Sequence, residues 1–486
     1  MHPYQLDYER YLADQGVKLM PSMQQAIAQI ITQTQWDDPV TGFDFNNIAV
    51  MAIIEADNTD DLAVRGMYLE AALEALEQAS AYPLGSVHWS MIQTLLGESG
   101  SAQNQAFRSL LSNTGVQVSD QNGLVFLPKA LAIDLHLAMI RLMQSAHASE
   151  QAMYLSMIAL LQSQPIFYNS TGQRFLDLAS RILPESPHIS LKQGISLLMG
   201  GQLEGWIFLH QAASIASKES AIYQRIQLAI DIARKMLETQ ADSFSAVVTF
   251  DGLQMAIEPN LRSIVTGVLL GAEDWFEAEM EFWRSRLGPG MTVIDVGANA
   301  GVYTFSAAQK VGVTGRVIAI EPFSGCVNLL KETIRLNDLS QVEICHGAAS
   351  DRSGIVKLSL QASSELNEIT NAELPEGSYE EVKSFTLDSL IESLQLTQID
   401  FLKIDAEGHE VSVLKGSDRI LREFRPIILY ENIAGSQGSN LPVAELLLSN
   451  GYQLFTYQPY VQQLLPVSEL ENLSGSLNVI AVPQNH

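Results

Sequence analysis

Four carboxylates stand where apolar runs end: Asp295 within Thr292-Val293-Ile294-Asp295-Val296, Glu321 after Arg316 to Ile320, Asp405 after Ile399 to Ile404, and Glu431 after Ile427 to Tyr430. Burying a carboxylate is costly unless it has a partner or a task, so four in register along one chain point to a site. Asp295 leads into Gly297, Asn299 and Gly301, a spacing that turns the chain tightly and lets backbone approach a ligand where a Cβ would clash. Glu321 suits a ribose diol, because an ionised carboxylate only accepts hydrogen bonds. Asp405 opens a denser group, Asp405-Ala406-Glu407-Gly408-His409-Glu410, whose carboxylates and imidazole can take a proton from a hydroxyl nucleophile. Asp405, Glu407 and Glu410 also offer hard oxygen ligands for a divalent cation. Glu407 and Glu410 equally suit a helix N-terminus, where negative charge is favoured. No metal site is assigned on this basis. Lys403, a charge inside an apolar strand, reads as the partner of one of these carboxylates, and Glu431 beside Asn432 is placed to line an acceptor pocket.

Such residues need strands that end side by side. From residue 292 onward, short apolar runs alternate with helical periodicity, the pattern of a parallel sheet covered on both faces. Strands are predicted over 292–296, 316–320, 342–346, 399–404 and 427–431. Helices are predicted over 302–311 and 326–336, from the 405–410 turn to about residue 422, and over 442–449. Gly347 to Asp351 follow the third strand, an irregular or hairpin excursion then runs to about Ser384, and a helix starts within 385–390. Residues 452–457 and 478–482 read as a closing antiparallel pair. In a doubly wound sheet, ligands lie beyond the carboxyl ends of the strands where strand order reverses. A dinucleotide-binding oxidoreductase competes for the same pattern, but Gly297 is followed by Asn299 and then Gly301, so the third glycine of its fingerprint is not met.

The sheet region is preceded by alternation on both sides of Asp251-Gly252, which predicts a hairpin, and by an amphipathic helical lead-in over 264–286 whose aromatics read as core. Before about residue 240 the periodicity is helical nearly throughout, with no convincing strand, including helices over 62–80, 127–145, 150–162, 203–216 and 220–237. This predicts an all-α domain over 1–240 and an α/β domain over 241–486. The helical segments loosely resemble tetratricopeptide-type hairpins: Gly194, Leu197, Gly201 and Ala213 fall at suitable places, but Trp206 stands where a small residue is expected. His136, His147, His188 and His210 lack metal-ligand spacing and read as surface or core residues.

The chain has 486 residues and a formal charge of −27, which disfavours nucleic acid or an anionic membrane surface as partner. Cys326 and Cys345 are the two cysteines, too few for a disulfide framework, and read as reduced core thiols. No signal-like N-terminus or long apolar run is evident, so a cytoplasmic location is expected.

Asp295-Val296-Gly297-Ala298-Asn299-Ala300-Gly301, Glu321-Pro322, the run from Asp400 to Glu410 with Val413-Leu414-Lys415-Gly416, and Asn478 to Pro483 together resemble the FkbM-type methyltransferases over roughly residues 245–484. The resemblance implies a Rossmann-like, seven-stranded sheet with its last strand antiparallel, and S-adenosylmethionine as cofactor. By position it implies that Asp295, Gly297, Asn299 and Gly301 shape the pocket for the methionine part, that Glu321 holds the ribose, and that Ala348, Ala349 and Asp351 lie at the adenine. Asp405, Glu407, His409 and Glu410 are the candidates for deprotonating the acceptor. The acceptor class implied is a sugar, glycan or small natural product methylated on oxygen, with the helical half presenting or selecting it. The alternative is a helical protein-interaction module carrying an inactive cofactor domain.

Overall fold

A computed structural model of the chain describes residues 187–237, 246–432 and 440–484 with short gaps, and before residue 187 mainly 3–14, 34–40, 42–57 and three short strands. It separates into two compact units, residues 1–230 and 231–486.

The first unit contains helices α1 (Pro3–Asp14) and α2 (Gly42–Asp57), then strands β1 (Ser86–His88), β2 (Val118–Ser119) and β3 (Leu124–Phe126) in the antiparallel order β1-β3-β2. The expectation of an all-α N-terminal domain is therefore corrected. Periodicity read over long windows does not resolve strands this short. The helices expected over 62–80, 127–145 and 150–162, with His136 and His147, lie wholly or largely outside the described residues. Helices α3 (Pro187–Met199), α4 (Gly205–Ile215) and α5 (Ala221–Leu237) follow. At the α3–α4 contact, a Cβ on Gly205 would lie 2.5 Å from the Gly194 carbonyl oxygen. The small residue of this hairpin is Gly205, and its neighbour Trp206 instead stacks on His210 at 5.8 Å.

The second unit opens on the expected hairpin, β4 (Ala246–Phe250) and β5 (Leu253–Ile257). Arg284 ties its turn down, pairing with Asp251 at 2.9 Å and Asp274 at 2.6 Å. The lead-in comprises two helices, α6 (Ile264–Ala272) and α7 (Glu279–Arg286). Its Phe282 and Trp283 are buried, and Trp283 meets Phe401 edge-on at 5.6 Å, so these aromatics are core.

The central sheet contains β6 (Thr292–Val296), β7 (Arg316–Glu321), β8 (Val342–His346), β13 (Phe401–Ile404), β14 (Ile427–Glu431), β15 (Tyr452–Gln458), β16 (Gln463–Pro466) and β17 (Asn478–Pro483). Their order is β16-β15-β17-β14-β13-β6-β7-β8. The run from β8 through β14 is parallel, and β17 enters antiparallel to β14. The seven expected strands are present. The eighth, β16, is a short edge strand ending in Pro466, a place where proline's missing donor is harmless. Ile294, Val296, Ile318, Ile320, Leu402, Ile404 and Ile428 make one buried cluster, each such side chain contributing about 1.5–3 kcal/mol. The covering helices include α8 (Val302–Val311), α9 (Ser324–Asn337), α10 (Leu387–Ser393), α11 (Glu410–Lys415) and α12 (Leu441–Ser449). The helix expected to run to about residue 422 stops at Lys415, and a separate π-type turn spans Ile420–Phe424. The excursion after β8 is a second sheet built from β9 (Ala348–Ala349), β10 (Gly354–Ser359), β11 (Ile369–Thr370) and β12 (Tyr379–Phe385).

Strand order reverses between β6 and β13, where Asp295 lies opposite Lys403 and Val296 opposite Ile404. The crevice that topology reserves for a ligand is thus bounded by the residues singled out above. Among the described residues no helix is long and apolar enough to cross a membrane.

Candidate active site at the strand ends

The turn after β6 is held by backbone. Gly297 N donates to Ile320 O at 2.9 Å, and Asp405 N donates to Val296 O at 3.0 Å. Gly297 has φ +77°, and a Cβ there would fall 1.6 Å from the Asp405 carbonyl oxygen. The two chain segments meet at a distance that only glycine permits. Gly301 has φ +98°, and a Cβ there would meet the Phe305 ring at 2.3 Å. These glycines let the turn close against the Asp405 backbone and let the helix that follows pack closely.

Glu321 is buried at the end of β7 and reaches back to the same turn. Its Oε2 accepts from Asn299 N at 2.7 Å and its Oε1 from Phe323 N at 2.7 Å. Burial pushes its carboxyl up to about 7, against those two amide donors. A group that holds its proton more tightly folded than unfolded adds stability at low pH and loses it as pH rises through the folded value. The rise from 4.5 to about 7 corresponds to on the order of 3 kcal/mol. We expect the melting temperature to fall as pH rises from about 5 to about 7.5, and Glu321→Gln to flatten part of that slope. A wild-type melting temperature that climbs over the range would contradict this reading.

Asp295 is 1% exposed. Its Oδ2 accepts from Thr304 Oγ1 at 2.6 Å, while its Oδ1 is buried with no protein partner. Burial raises this carboxyl and the Lys403 ammonium lowers it. An orphaned acceptor beside a glycine turn fits a polar ligand head such as the methionine part of S-adenosylmethionine. Glu321 fits the ribose hydroxyls by its chemistry as a paired acceptor.

At the segment after β8, Ala348 and Ala349 are buried, and Ser350 and exposed Asp351 follow them. Ser350 Oγ lies 2.9 Å from His409 Nε2. Burial pulls His409 down, with Asp351 pulling it back up. His409 therefore braces the segment after β9, away from the carboxylates that surround its own loop.

Those carboxylates divide into two groups. Glu410 is fully buried; its Oε1 accepts from Ala406 N at 2.9 Å and Gly408 N at 3.1 Å, and its Oε2 accepts from Asn440 Nδ2 at 2.8 Å. Its acceptors serve the loop itself. Asp405, Glu407 and Glu431 bring one carboxylate oxygen each within 4.8 Å of one another. The trio the structure gathers thus differs from the one read in the sequence: Glu431 replaces Glu410. Burial, then the neighbouring carboxylates, push Glu407 and Glu431 upward, so the group retains protons. Asp405 Oδ2 accepts from Lys403 Nζ at 2.7 Å, as the apolar placement of Lys403 suggested.

Several participants were not legible beforehand. Tyr303, on α8, lies with its ring 4.5 Å from Lys403 Nζ and donates to Glu277 Oε2 at 2.6 Å. Glu277 also accepts from Asn478 Nδ2 at 2.9 Å. Asn299 Nδ2 reaches Ser364 Oγ at 3.4 Å, joining the excursion to the turn after β6. The acidic residues interleaved with aromatics in the lead-in were the available signal for Glu277. Cys326 is buried and Cys345 partly so, and both are free thiols.

Residues 295–454 match the family model described as the methyltransferase FkbM domain. Residues 222–354 match that of protein-L-isoaspartate(D-aspartate) O-methyltransferase. A 57-residue stretch is 39% identical to arsenite methyltransferase of Halobacterium salinarum, spanning 12% of this chain and 15% of that relative. Among solved structures, methyltransferase FkbM from Methylobacillus flagellatus is 16% identical, with 86% of this chain and 98% of that one covered and a TM-score of 0.29. An O-methyltransferase from Bacillus cereus in complex with SAH is 16% identical, with 44% and 84% covered and a TM-score of 0.27. The match to the methyltransferase FkbM domain thus runs over residues 295–454, the stretch that holds the glycine turn, Glu321 and the Asp405 to Glu410 loop.

Proposed function

We propose that the protein methylates a hydroxyl group on a sugar, glycan or small natural product, with Asp405 receiving the hydroxyl proton. S-adenosylmethionine, when bound, supplies an activated methyl group on a sulfonium. The chain's own part is to hold that cofactor, align the acceptor and exclude water. Asp295, Gly297, Asn299 and Gly301 would hold the methionine part, Glu321 the ribose, and the segment from Ala349 to Asp351 the adenine. The observation that carries the reading is the meeting of Gly297 with Asp405 at the point where strand order reverses. It supports reading the glycine turn and the Asp405 carboxylate as parts of one site. The Asp405 side chain keeps 30% exposure despite its ion pair, so an incoming hydroxyl can reach it. Glu407 and Glu431 extend the polar wall on the acceptor side, and His409 supports the adenine side through Ser350. The unit spanning residues 1–230 would select or present the acceptor.

Calorimetric titration with S-adenosylmethionine and, separately, NAD tests the cofactor. Glu321→Ala should weaken binding of the former by about 1.5–3 kcal/mol for each charge-assisted hydrogen bond lost. Tighter binding of NAD would sink the assignment, and an unchanged affinity in the variant would remove Glu321 from the site. Mass spectrometry of metabolites and glycans from a deletion strain should reveal an acceptor lacking one methyl group.

A further inference from the structure

Lys403 is an unusual residue for its strand. It lies within β13, all four of whose residues are buried, and its side chain is 3% exposed. An ammonium is expensive to bury, and an apolar side chain would serve the sheet as well or better. Its surroundings are largely carboxyl groups. Asp405 takes its hydrogen bond, Asp295 lies opposite it on β6, and Glu277 approaches from the segment before α7 through Tyr303. Glu407 and Glu431 stand beside Asp405 on the other side. Burial pulls the Lys403 ammonium down, but Asp405, Asp295 and Glu277 raise it further, so it stays charged. At Glu277, Asp295, Glu407 and Glu431 alike, Lys403 is the cation that offsets the burial.

We propose that Lys403 sets the charge at the methyl-donor end of the site, limiting how strongly the pocket favours the cationic sulfonium of S-adenosylmethionine over the neutral thioether of S-adenosylhomocysteine. The inference rests on the cofactor assignment above. In methyl transfer a carbon–oxygen bond forms and the carbon–sulfur bond breaks. Its electron pair stays on sulfur, the hydroxyl proton goes to the carboxylate base, and the positive charge on sulfur disappears. A catalyst gains rate only from interactions stronger in the transition state than in the bound substrate. Unbalanced carboxylates around the sulfonium would do the opposite, since they stabilise the charge that the reaction removes. A buried ammonium among them corrects the field. Tyr303, fixed through its hydroxyl to Glu277 and edge-on against Trp283 at 5.3 Å, holds the ammonium in place.

The test needs no acceptor. Affinities for S-adenosylmethionine and S-adenosylhomocysteine are measured by calorimetry on the full chain at about pH 8, above the ordinary carboxylate range. Lys403→Met should shift the affinity ratio toward S-adenosylmethionine by about tenfold. Lys403→Arg should restore the wild-type ratio, and Asp405→Asn should shift it toward S-adenosylhomocysteine. If the methionine variant does not fold, Lys403→Gln carries the same expectation. A ratio that stays within about twofold of wild type, or an equal loss for both ligands, assigns Lys403 a packing role and overturns the proposal. Failure of the wild-type protein to bind either ligand would instead overturn the cofactor assignment.

Discussion

Gly297→Ala is expected to destabilise the C-terminal unit by at least about 3 kcal/mol and to abolish S-adenosylmethionine binding. The added Cβ would lie 1.6 Å from the Asp405 carbonyl oxygen. That oxygen belongs to backbone fixed by the parallel pairing of β6 with β13, so neither side can yield without breaking the sheet at the site. The positive φ adds a strain that an L side chain tolerates poorly. Gly301→Ala is a useful comparison. Its Cβ would meet the Phe305 ring at 2.3 Å and Leu330 at 2.7 Å, side chains rather than the backbone of a neighbouring segment, and its cost should be smaller. Urea unfolding of both variants, with calorimetry for the cofactor, decides the matter. A Gly297→Ala protein with the wild-type midpoint and affinity would show that the two segments do not meet as described.

Asp405→Asn is expected to lower kcat for the acceptor found in the deletion strain by about 10²–10⁴-fold, the usual weight of a general base. Binding of S-adenosylhomocysteine should persist, because the asparagine carbonyl can still accept from Lys403 Nζ at the position of Oδ2. The carboxylate's special position supports this magnitude. It is joined to the turn after β6 through its own backbone, it is held by one ion pair, and it remains partly open. Glu407 and Glu431 are pushed toward their protonated forms by burial and by each other's neighbours, which makes them poorer proton acceptors at neutral pH. Single-turnover methyl transfer with the variant checks the expectation. A rate within about threefold of wild type would move the base to Glu407 or Glu431.

Much of the fold was written in local pattern. Apolar runs of strand length alternating with helical periodicity named every parallel strand of the central sheet, and the final pair at 452–457 and 478–482 named its antiparallel closure. The signal is strong there because a doubly covered strand is apolar on both faces. It fails for pieces such as β1, β2 and β3, which are too short to impose a period, and the all-α expectation failed with it. The break between Lys415 and Ile420 was likewise invisible, since apolar spacing continues across it.

The sequence by itself determined which residues could form the site: a glycine turn after a buried carboxylate, and acidic residues at successive strand ends. Those are consequences of steric and solvation rules that act within a few residues of the chain. Only the tertiary structure decided how the acidic residues divide. Glu410 turns inward to its own loop and to Asn440, Glu431 joins Asp405 and Glu407 from the neighbouring strand, and His409 swings to Ser350. Hydrogen-bond reach is about 3 Å, and which groups fall within it depends on the register between strands far apart in sequence. The same register put Tyr303 and Glu277 around Lys403, turning a misplaced charge in an apolar strand into the electrostatic centre of the site.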